Sequence, residues 1–246
     1  MFSFFIKKEY LVDHLNGFID IHNHILPGID DGAKTVDESI QLIKGFGEFG
    51  INKFICTPHI MHNYYDNTPK SIKKSFKILK KELKNNNLDH IDIGYAAEHM
   101  IDDNFEIILK KNKVLPLKKQ HLLIEMSYLQ PSINFNVAIK KINKNQFFPV
   151  FAHPERYLYL HKNMGQYEKF KNQSILFQLN MLSLSEYYGK DIQTVALKLL
   201  DKGKYDFIAS DIHSLKHLNA IKKIVIQKNR RDKILDLINN TIVTFY

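Results

Sequence analysis

Seven short apolar runs recur along this chain, and six of them end in a histidine, an aspartate or a glutamate. Residues two apart on a strand point to the same face, so His22 and His24 at the end of the first run can reach one metal ion together. One such ending means little, but six of them favour a polynuclear metal site at one end of a barrel. The runs cover residues 18–24, 53–59, 91–98, 122–125, 148–153, 175–180 and 207–213.

Segments with helical periodicity separate these runs. Thr35 and Glu38 form a capping-box pattern, which predicts a helix that reaches about Phe49. The pair Thr68 and Pro69 opens a second helix with a buried stripe. Further helices are predicted with Ser132 as N-cap, over about 185–200 and over about 218–238.

The alternation of strands and helices predicts an α/β fold, in which β/α units close a parallel barrel with seven strands. In such barrels the C-terminal strand ends and the loops after them share one face, where active sites lie. Strand polarity places every candidate ligand on that face. The first and last strands of a closed barrel are neighbours, so Asp211 and His213 are expected to meet His22 and His24.

Length and composition predict a single domain. A chain of 246 residues with 44% hydrophobic residues can bury one sizeable core, and we expect residues 1–16 to be an extension and 17–246 the barrel. The single cysteine excludes a disulfide framework and indicates the cytoplasm. The start lacks the features of a signal peptide, and no run approaches the ~18 apolar residues that span a bilayer, so no membrane insertion is expected.

The net charge of +9 comes almost entirely from lysine. A basic chain can bind nucleic acid, an anionic membrane or acidic substrates. The lysines between 70 and 84 fall on the outer face of the second helix, where a solvated surface is the simplest explanation, and no nucleic-acid partner is expected. Arginine is informative because the chain has only Arg156, Arg230 and Arg231. Arg156 stands out, since it follows the candidate ligand His153.

Carboxylates extend the candidate site. In the turn-rich loop after the first strand, Asp31 is favoured as a metal ligand and Asp30 as a turn or supporting residue. Glu98 and Glu125 end runs that should be buried, where an unpaired carboxylate costs several kcal/mol. A metal cluster removes that cost, and a bridging role suits at least one of them.

The remaining histidines divide into two groups. His59 ends an apolar run and is favoured as a ligand, whereas His62 is expected to be a loop residue lining the site. His99 and His121 are expected to be structural or supporting residues.

Two other sequence patterns resemble functional motifs but do not indicate the corresponding function. Gly45-x-Gly47-x-x-Gly50 matches a dinucleotide-binding fingerprint, but it ends a helix and precedes a strand, which is the wrong order. Cys56 cannot serve a Cys-x5-Arg phosphatase loop, because His62 stands where the arginine would be.

Taken together, these motifs resemble those of the PHP (polymerase and histidinol phosphatase) superfamily. The residues that carry the resemblance are 20–32, Thr57-Pro58-His59, Glu98, Glu125, 153–157 and 210–213. Within it, the chain is similar to bacterial manganese-dependent protein-tyrosine phosphatases of capsule and exopolysaccharide loci. The resemblance implies a distorted (β/α)7 TIM-like barrel holding two or three divalent ions. The ligands that it implies are His22, His24, Asp31, His59, Glu98, Glu125, His153, Asp211 and His213.

The resemblance also implies a function. Arg156 and Asp31 would be catalytic, with Arg156 binding the substrate phosphate. Relatives often carry a second arginine after the last motif, where this chain has Lys216. Manganese rests on the resemblance, whereas iron and zinc are chemically possible with these ligands. The implied substrate is an autophosphorylated bacterial tyrosine kinase.

Three alternatives stay open. The chain could be a small-molecule phosphatase of the histidinol-phosphate type, or a phosphodiesterase or nuclease using the same metals. A noncatalytic scaffold is the third alternative, and the near-complete ligand set argues against it.

Overall fold

The computed structural model describes residues 8–246, so the first seven residues of the predicted extension lie outside the described part. Within it, the seven runs form parallel strands. The second and third runs each give two strands. Pro58 interrupts the second run, and in the third run Ala97 N donates to Leu115 O at 3.1 Å instead of to a neighbouring strand. The strands are β1 (Ile19–Asp20), β2 (Lys53–Cys56), β3 (His59–Ile60), β4 (Asp92–Tyr95), β5 (Glu98–Met100), β6 (His121–Glu125), β7 (Phe148–Ala152), β8 (Leu176–Asn180) and β9 (Phe207–Ala209).

These strands form two parallel sheets, with the orders β1-β2-β4 and β3-β5-β6-β7-β8-β9. At one junction between them, Glu98 N donates to Pro58 O at 3.1 Å and so continues the pairing past the interruption. At the other, Asn23 and Ile212 form an isolated parallel bridge, which brings the end of β1 beside the end of β9. The architecture is therefore α/β with parallel sheets, as predicted.

Helices connect the strands. They are α1 (Val36–Gly47), α2 (Pro69–Asn85), α3 (Phe105–Lys110), α4 (Phe135–Lys144), α5 (Leu158–His161), α6 (Met164–Asn172), α7 (Lys190–Asp201), α8 (Leu215–Ile221) and α9 (Arg231–Phe245). Short 3₁₀ helices cover Leu11–His14, Lys118–Gln120, Pro154–Arg156, Met181–Leu184, Glu186–Tyr188 and Lys228–Arg230.

Two predicted helix starts are confirmed. Thr35 Oγ1 accepts from Glu38 N, and Thr68 Oγ1 accepts from the N–H three residues on, both at 3.2 Å. In a regular capping box Glu38 would accept from the backbone N–H of the N-cap residue Thr35. Here Glu38 Oε2 instead accepts from Lys34 N, one residue earlier, at 2.7 Å. After α1 the chain turns at Gly50, whose φ of +76° favours glycine.

Three other helix predictions are wrong in their bounds. Ser132 does not cap α4, which follows Asn134 without a side-chain cap. The helix expected from 185 begins only at Lys190, since Gly189 has a non-helical backbone conformation with φ +103°. The single helix expected over 218–238 is two helices, because backbone groups at 224–226 pair with those at 9–11.

Side chains of the strands alternate between two buried apolar layers. The larger layer lies between sheet and helices and includes Phe54, Ile124, Phe151 and Phe177. The smaller layer comprises Ile19, Ile21, Ile55, Ala96, Leu117, Leu123, Val150, Ala152, Phe207, Ala209 and Phe245. Strands buried on both faces give a rigid platform for the residues at their ends. No helix in 8–246 is both long and apolar enough to cross a membrane.

Candidate metal centre

The nine predicted ligands converge on one site, where they form three overlapping groups. Within each group the nitrogen or oxygen atoms lie within 4.8 Å of one another. In order, the groups are His24, Asp31, His59 and His213; His22, Glu98, His153 and Asp211; and His59, Glu98 and Glu125. His59 therefore belongs to the first and third groups, and Glu98 belongs to the second and third.

The second group is buried at the centre of the site. Glu98 uses both carboxylate oxygens there: Oε2 lies 3.2 Å from His22 Nε2, and Oε1 lies 3.1 Å from His153 Nε2. His22 Nε2 is also 3.3 Å from Asp211 Oδ1. Four donor atoms from four different segments thus surround one small volume, as in a metal site.

The third group contains buried polar atoms without hydrogen-bond partners. His59 Nδ1 lies 2.9 Å from Glu125 Oε1 and 3.1 Å from Glu98 Oε2. All three atoms nevertheless lack a hydrogen bond among the described residues. Such orphaned groups are rare in buried positions, and a shared cation would satisfy all three at once. The donor set therefore fits a divalent ion.

The first group lies at the rim of the site. Asp31 Oδ1 is 3.4 Å from His59 Nε2 and 3.5 Å from His213 Nε2, and its side chain is 47% exposed. Asp30 is buried behind it, where Oδ2 accepts from His24 Nδ1 at 2.8 Å. That hydrogen bond leaves His24 Nε2 facing the group, which is the usual way in which a carboxylate orients a metal-binding histidine.

Strand β8 supplies two supporting residues that the sequence analysis missed. Gln178 Oε1 lies 2.8 Å from His22 Nδ1, so it fixes the ring with Nε2 toward Glu98. Asn180 Nδ2 donates to Asp211 Oδ2 at 2.9 Å. The period of two along β8 was the available signal, since it puts both amides on one face.

The electrostatics of the site are balanced between imidazoles and carboxylates. Burial alone would raise the pKa of Asp211, but the charge on His22 helps hold it well below its usual range. Burial would likewise lower the pKa of His59, but the charges on Glu125 and Glu98 hold it well above the usual value. Metal binding requires neutral imidazoles, so divalent ions would replace the protons as the positive charge beside these carboxylates.

Two ligand positions have left-handed backbone. His153 has φ +35° and Asp211 φ +51°. For residues other than glycine this conformation is strained by about 1–3 kcal/mol, and it persists where the surrounding structure holds it. Here Asp211 N donates to His22 O at 2.8 Å. Strain of this kind is concentrated at functional sites.

Arg156 lies beside the second group, at the end of the 3₁₀ helix Pro154–Arg156. Its Nη1 donates to Asp211 Oδ2 at 2.7 Å. Its guanidinium carbon lies 4.7 Å from the ring centre of Tyr128 and 4.2 Å from that of Tyr188. Its ion pair is therefore with the buried site and not with a surface glutamate.

The other sequence-selected residues lie outside the groups. Lys216 is exposed on α8, where Nζ is 5.9 Å from the ring centre of Tyr187. His62 Nδ1 lies 3.3 Å from Asp66 Oδ1, and His62 belongs to none of the three groups. His99 is a buried structural histidine, bonded at 2.9 Å to Leu123 O.

His121 lies at the start of β6, at the opposite end of that strand from Glu125. Its ring packs against Phe148, Phe207 and Phe245. This position is structural.

Comparison with known proteins identifies the family. A sequence model of capsular polysaccharide synthesis proteins of the CpsB/CapC type matches residues 18–238. The tyrosine-protein phosphatase YwqE of Bacillus subtilis (strain 168) is 30% identical over 202 residues, which are 82% of this chain and 79% of YwqE. The tyrosine-protein phosphatase CpsB of Streptococcus agalactiae serotype V is 30% identical over 207 residues, covering 80% of this chain and 83% of CpsB.

The fold points to the same relatives. One solved chain comes from work on YwqE of Bacillus subtilis and CpsB of Streptococcus pneumoniae, described as unique metal-dependent tyrosine phosphatases. It matches with a TM-score of 0.83 and 26% identity over 92% of this chain and 94% of that one. The resemblance found in the sequence is thereby confirmed. The chain belongs to the CpsB/CapC family of capsular polysaccharide synthesis proteins.

Proposed function

We propose that this chain is a metal-dependent protein-tyrosine phosphatase, which hydrolyses the phosphomonoester of phosphotyrosine. The observation that carries the proposal is the set of three ligand groups joined through His59 and Glu98, with Arg156 beside them. The activity named for relatives of similar sequence and fold supports it.

We also propose that residues 17–246 form one distorted seven-stranded barrel with 1–16 as an extension. The bridge between Asn23 and Ile212 supports closure of the barrel between its first and last strands. Leu11 and Leu15 are fully buried, which indicates that the described part of the extension packs on the rest of the chain.

The nine grouped residues would hold two or three divalent ions, with Glu98 and His59 each serving two of them. Imidazole nitrogen and carboxylate oxygen suit manganese, iron or zinc, and we propose manganese because of the resemblance to manganese-dependent phosphatases. When bound, such ions act as Lewis acids, which neutralise phosphoryl charge and lower the pKa of water.

The protein groups would bind and orient the substrate. Arg156 has one guanidinium nitrogen on Asp211, so its remaining N–H groups are available for phosphoryl oxygens. Burial would raise the pKa of Asp31, but hydrogen bonds from His213 and His59 hold it well below its usual value. The ionised Asp31 would accept a hydrogen bond from the attacking water and so orient it. Lys216 would add a positive charge at the mouth.

The proposed partner is an autophosphorylated tyrosine kinase of bacterial polysaccharide synthesis or export, which the enzyme would meet in the cytoplasm. A capsule-synthesis family and relatives named as tyrosine phosphatases support this partner.

The test combines metal content with substrate preference. Purified protein should lose activity in excess chelator and regain it at least as well with manganese as with magnesium. It should hydrolyse a phosphotyrosine peptide faster than the matched phosphoserine peptide and faster than histidinol phosphate, and leave DNA intact. Full activity without bound metal would contradict the proposal, and preference for histidinol phosphate or cleavage of DNA would favour the alternatives.

A further inference from the structure

Helix α2 carries a dense row of positive charge that the proposed chemistry does not use. Seven of its 17 residues are exposed lysines, and no ammonium group among them pairs with a carboxylate in the described part of the chain. At 100° per residue they all fall within an arc of about 120°, opposite the buried side of the helix. They are Lys70, Lys73, Lys74, Lys77, Lys80, Lys81 and Lys84.

This lysine arc starts at the rim of the metal centre. Tyr65 stacks on the ring of His59 with 5.4 Å between ring centres. Asn67 Nδ2 donates to His59 O at 2.9 Å, and Thr68 then caps α2. From Lys70 to Lys84 the arc covers 14 residue steps, which is about 21 Å at 1.5 Å per residue. The N-terminal end of the arc therefore follows directly on the segment that contacts His59.

The arc includes a shallow, open depression between side chains of this one helix. A surface depression of about 460 Å³ is lined by Lys70, Lys73, Lys74, Lys77, Ile78 and Lys81. The length of the arc corresponds to roughly six residues of extended peptide at ~3.3 Å each. Lysine stems and a half-exposed isoleucine provide apolar contact, and the ammonium groups provide charge.

We propose that the lysine arc is a docking surface for an acidic segment of the phosphoprotein substrate, next to the phosphotyrosine in sequence. This inference rests on the proposed function. Seven unpaired positive charges complement a polyanionic chain, and the start of α2 just after residues that contact His59 favours a ligand that also enters the site. Electrostatic complementarity of this kind raises the rate at which protein and substrate associate, and the effect weakens as the salt concentration rises.

The experiment compares two phosphotyrosine peptides of equal length on the metal-loaded protein. In one peptide both flanks carry glutamates, and in the other these are glutamines. At low salt the unsubstituted protein should prefer the acidic peptide by about tenfold in kcat/KM, since charge steering raises association rates by 10 to 10³. In the variant Lys73→Gln/Lys77→Gln/Lys81→Gln this ratio should fall close to one.

A matched control removes three charges elsewhere. Lys113, which follows α3, and Lys140 and Lys144 on α4 are exposed lysines, and their replacement by glutamine should leave the tenfold ratio in place. A second variant of the arc, Lys70→Gln/Lys74→Gln/Lys84→Gln, repeats the test if the first fails to fold.

An unchanged ratio in both arc variants, or an equal loss in the control, would overturn the proposal. So would lysine-dependent binding to phosphatidylglycerol vesicles with an unchanged peptide ratio, since the occupant would then be a lipid surface. Hydrolysis of p-nitrophenyl phosphate by the unsubstituted protein reports on the proposed function separately. Its absence would defeat that function, whereas its presence with unchanged ratios defeats the docking surface alone.

Discussion

At the scale of single residues, Arg156 is held by two kinds of contact. One guanidinium nitrogen bonds Asp211 at 2.7 Å, and the rings of Tyr128 and Tyr188 flank the guanidinium. A lysine would keep the charge but lose the planar stacking and the forked donors. We therefore expect Arg156→Lys to lower kcat/KM on a phosphotyrosine peptide by about 10² with metal content unchanged.

The control for this prediction is another paired arginine. Arg230 forms a two-bond ion pair with Asp201 on the surface, so Arg230→Lys should stay within about twofold of the unsubstituted protein. Steady-state kinetics with elemental analysis measures both variants. If Arg156→Lys behaves like Arg230→Lys at full metal content, Arg156 does not bind the phosphate.

His99 gives a pH prediction at the same scale. Burial lowers its pKa to about 4, below the ordinary 6.5 that it regains on unfolding. The unfolded state therefore binds an extra proton between these values, and stability falls as the pH drops from about 6.5 to 4. The contribution of this group is at most about 1.4 kcal/mol per pH unit.

Replacing His99 by glutamine should reduce that slope. Urea unfolding at pH 5 and pH 7 in the presence of chelator isolates the effect from metal binding. His90 is an exposed histidine, and His90→Gln should leave the slope as it is. Equal slopes in all three proteins would show that His99 does not titrate as described.

At the scale of elements, the contact between β1 and β9 depends on a buried carboxylate. Asp20 Oδ2 accepts from Ser210 Oγ at 2.6 Å, and Oδ1 accepts from Ser210 N at 3.0 Å. Ser210→Ala removes the first bond from a fully buried group, which should cost about 1–3 kcal/mol in the free energy of unfolding. Ser132→Ala is the control, because Ser132 does not cap α4; its change should stay within about 0.5 kcal/mol in the same denaturation measurement. Equal losses would contradict the prediction.

The elements also show what the sequence could predict. Candidate ligands at the ends of apolar runs, such as His22 and Glu98, were identifiable because parallel strands have a fixed direction and a period of two. The break between α8 and α9 was not, because the residues that pair with 224–226 lie more than 200 positions earlier. The rings around Arg156 were also missed, since Tyr128 follows β6 and Tyr188 lies in a later 3₁₀ helix, and only tertiary packing brings them together.

At the scale of the whole molecule, the metals should contribute to folding stability. A ligand at 100 times its dissociation constant adds about 2.7 kcal/mol, which raises the melting temperature of a chain of this size by roughly 5–10 °C. We expect such a rise on adding manganese to chelator-treated protein, and its reversal by chelator. Differential scanning calorimetry measures it.

Two buried glutamates provide the comparison. Glu98→Gln should lose most of the metal-dependent rise, because Glu98 belongs to two of the three ligand groups. Glu155→Gln should keep it, because Glu155 accepts from Asn180 N and Tyr205 Oη, outside the groups. A full rise in Glu98→Gln would remove Glu98 from the metal site.

The sharing of His59 and Glu98 between groups also affects how the site fills. An ion in one group fixes a side chain that the next group needs, so the first binding event prepares the second. Below saturation, the population should then consist mainly of empty and fully loaded molecules, with few singly loaded ones. Native mass spectrometry of half-saturated protein resolves these species, and a binomial distribution would indicate independent filling.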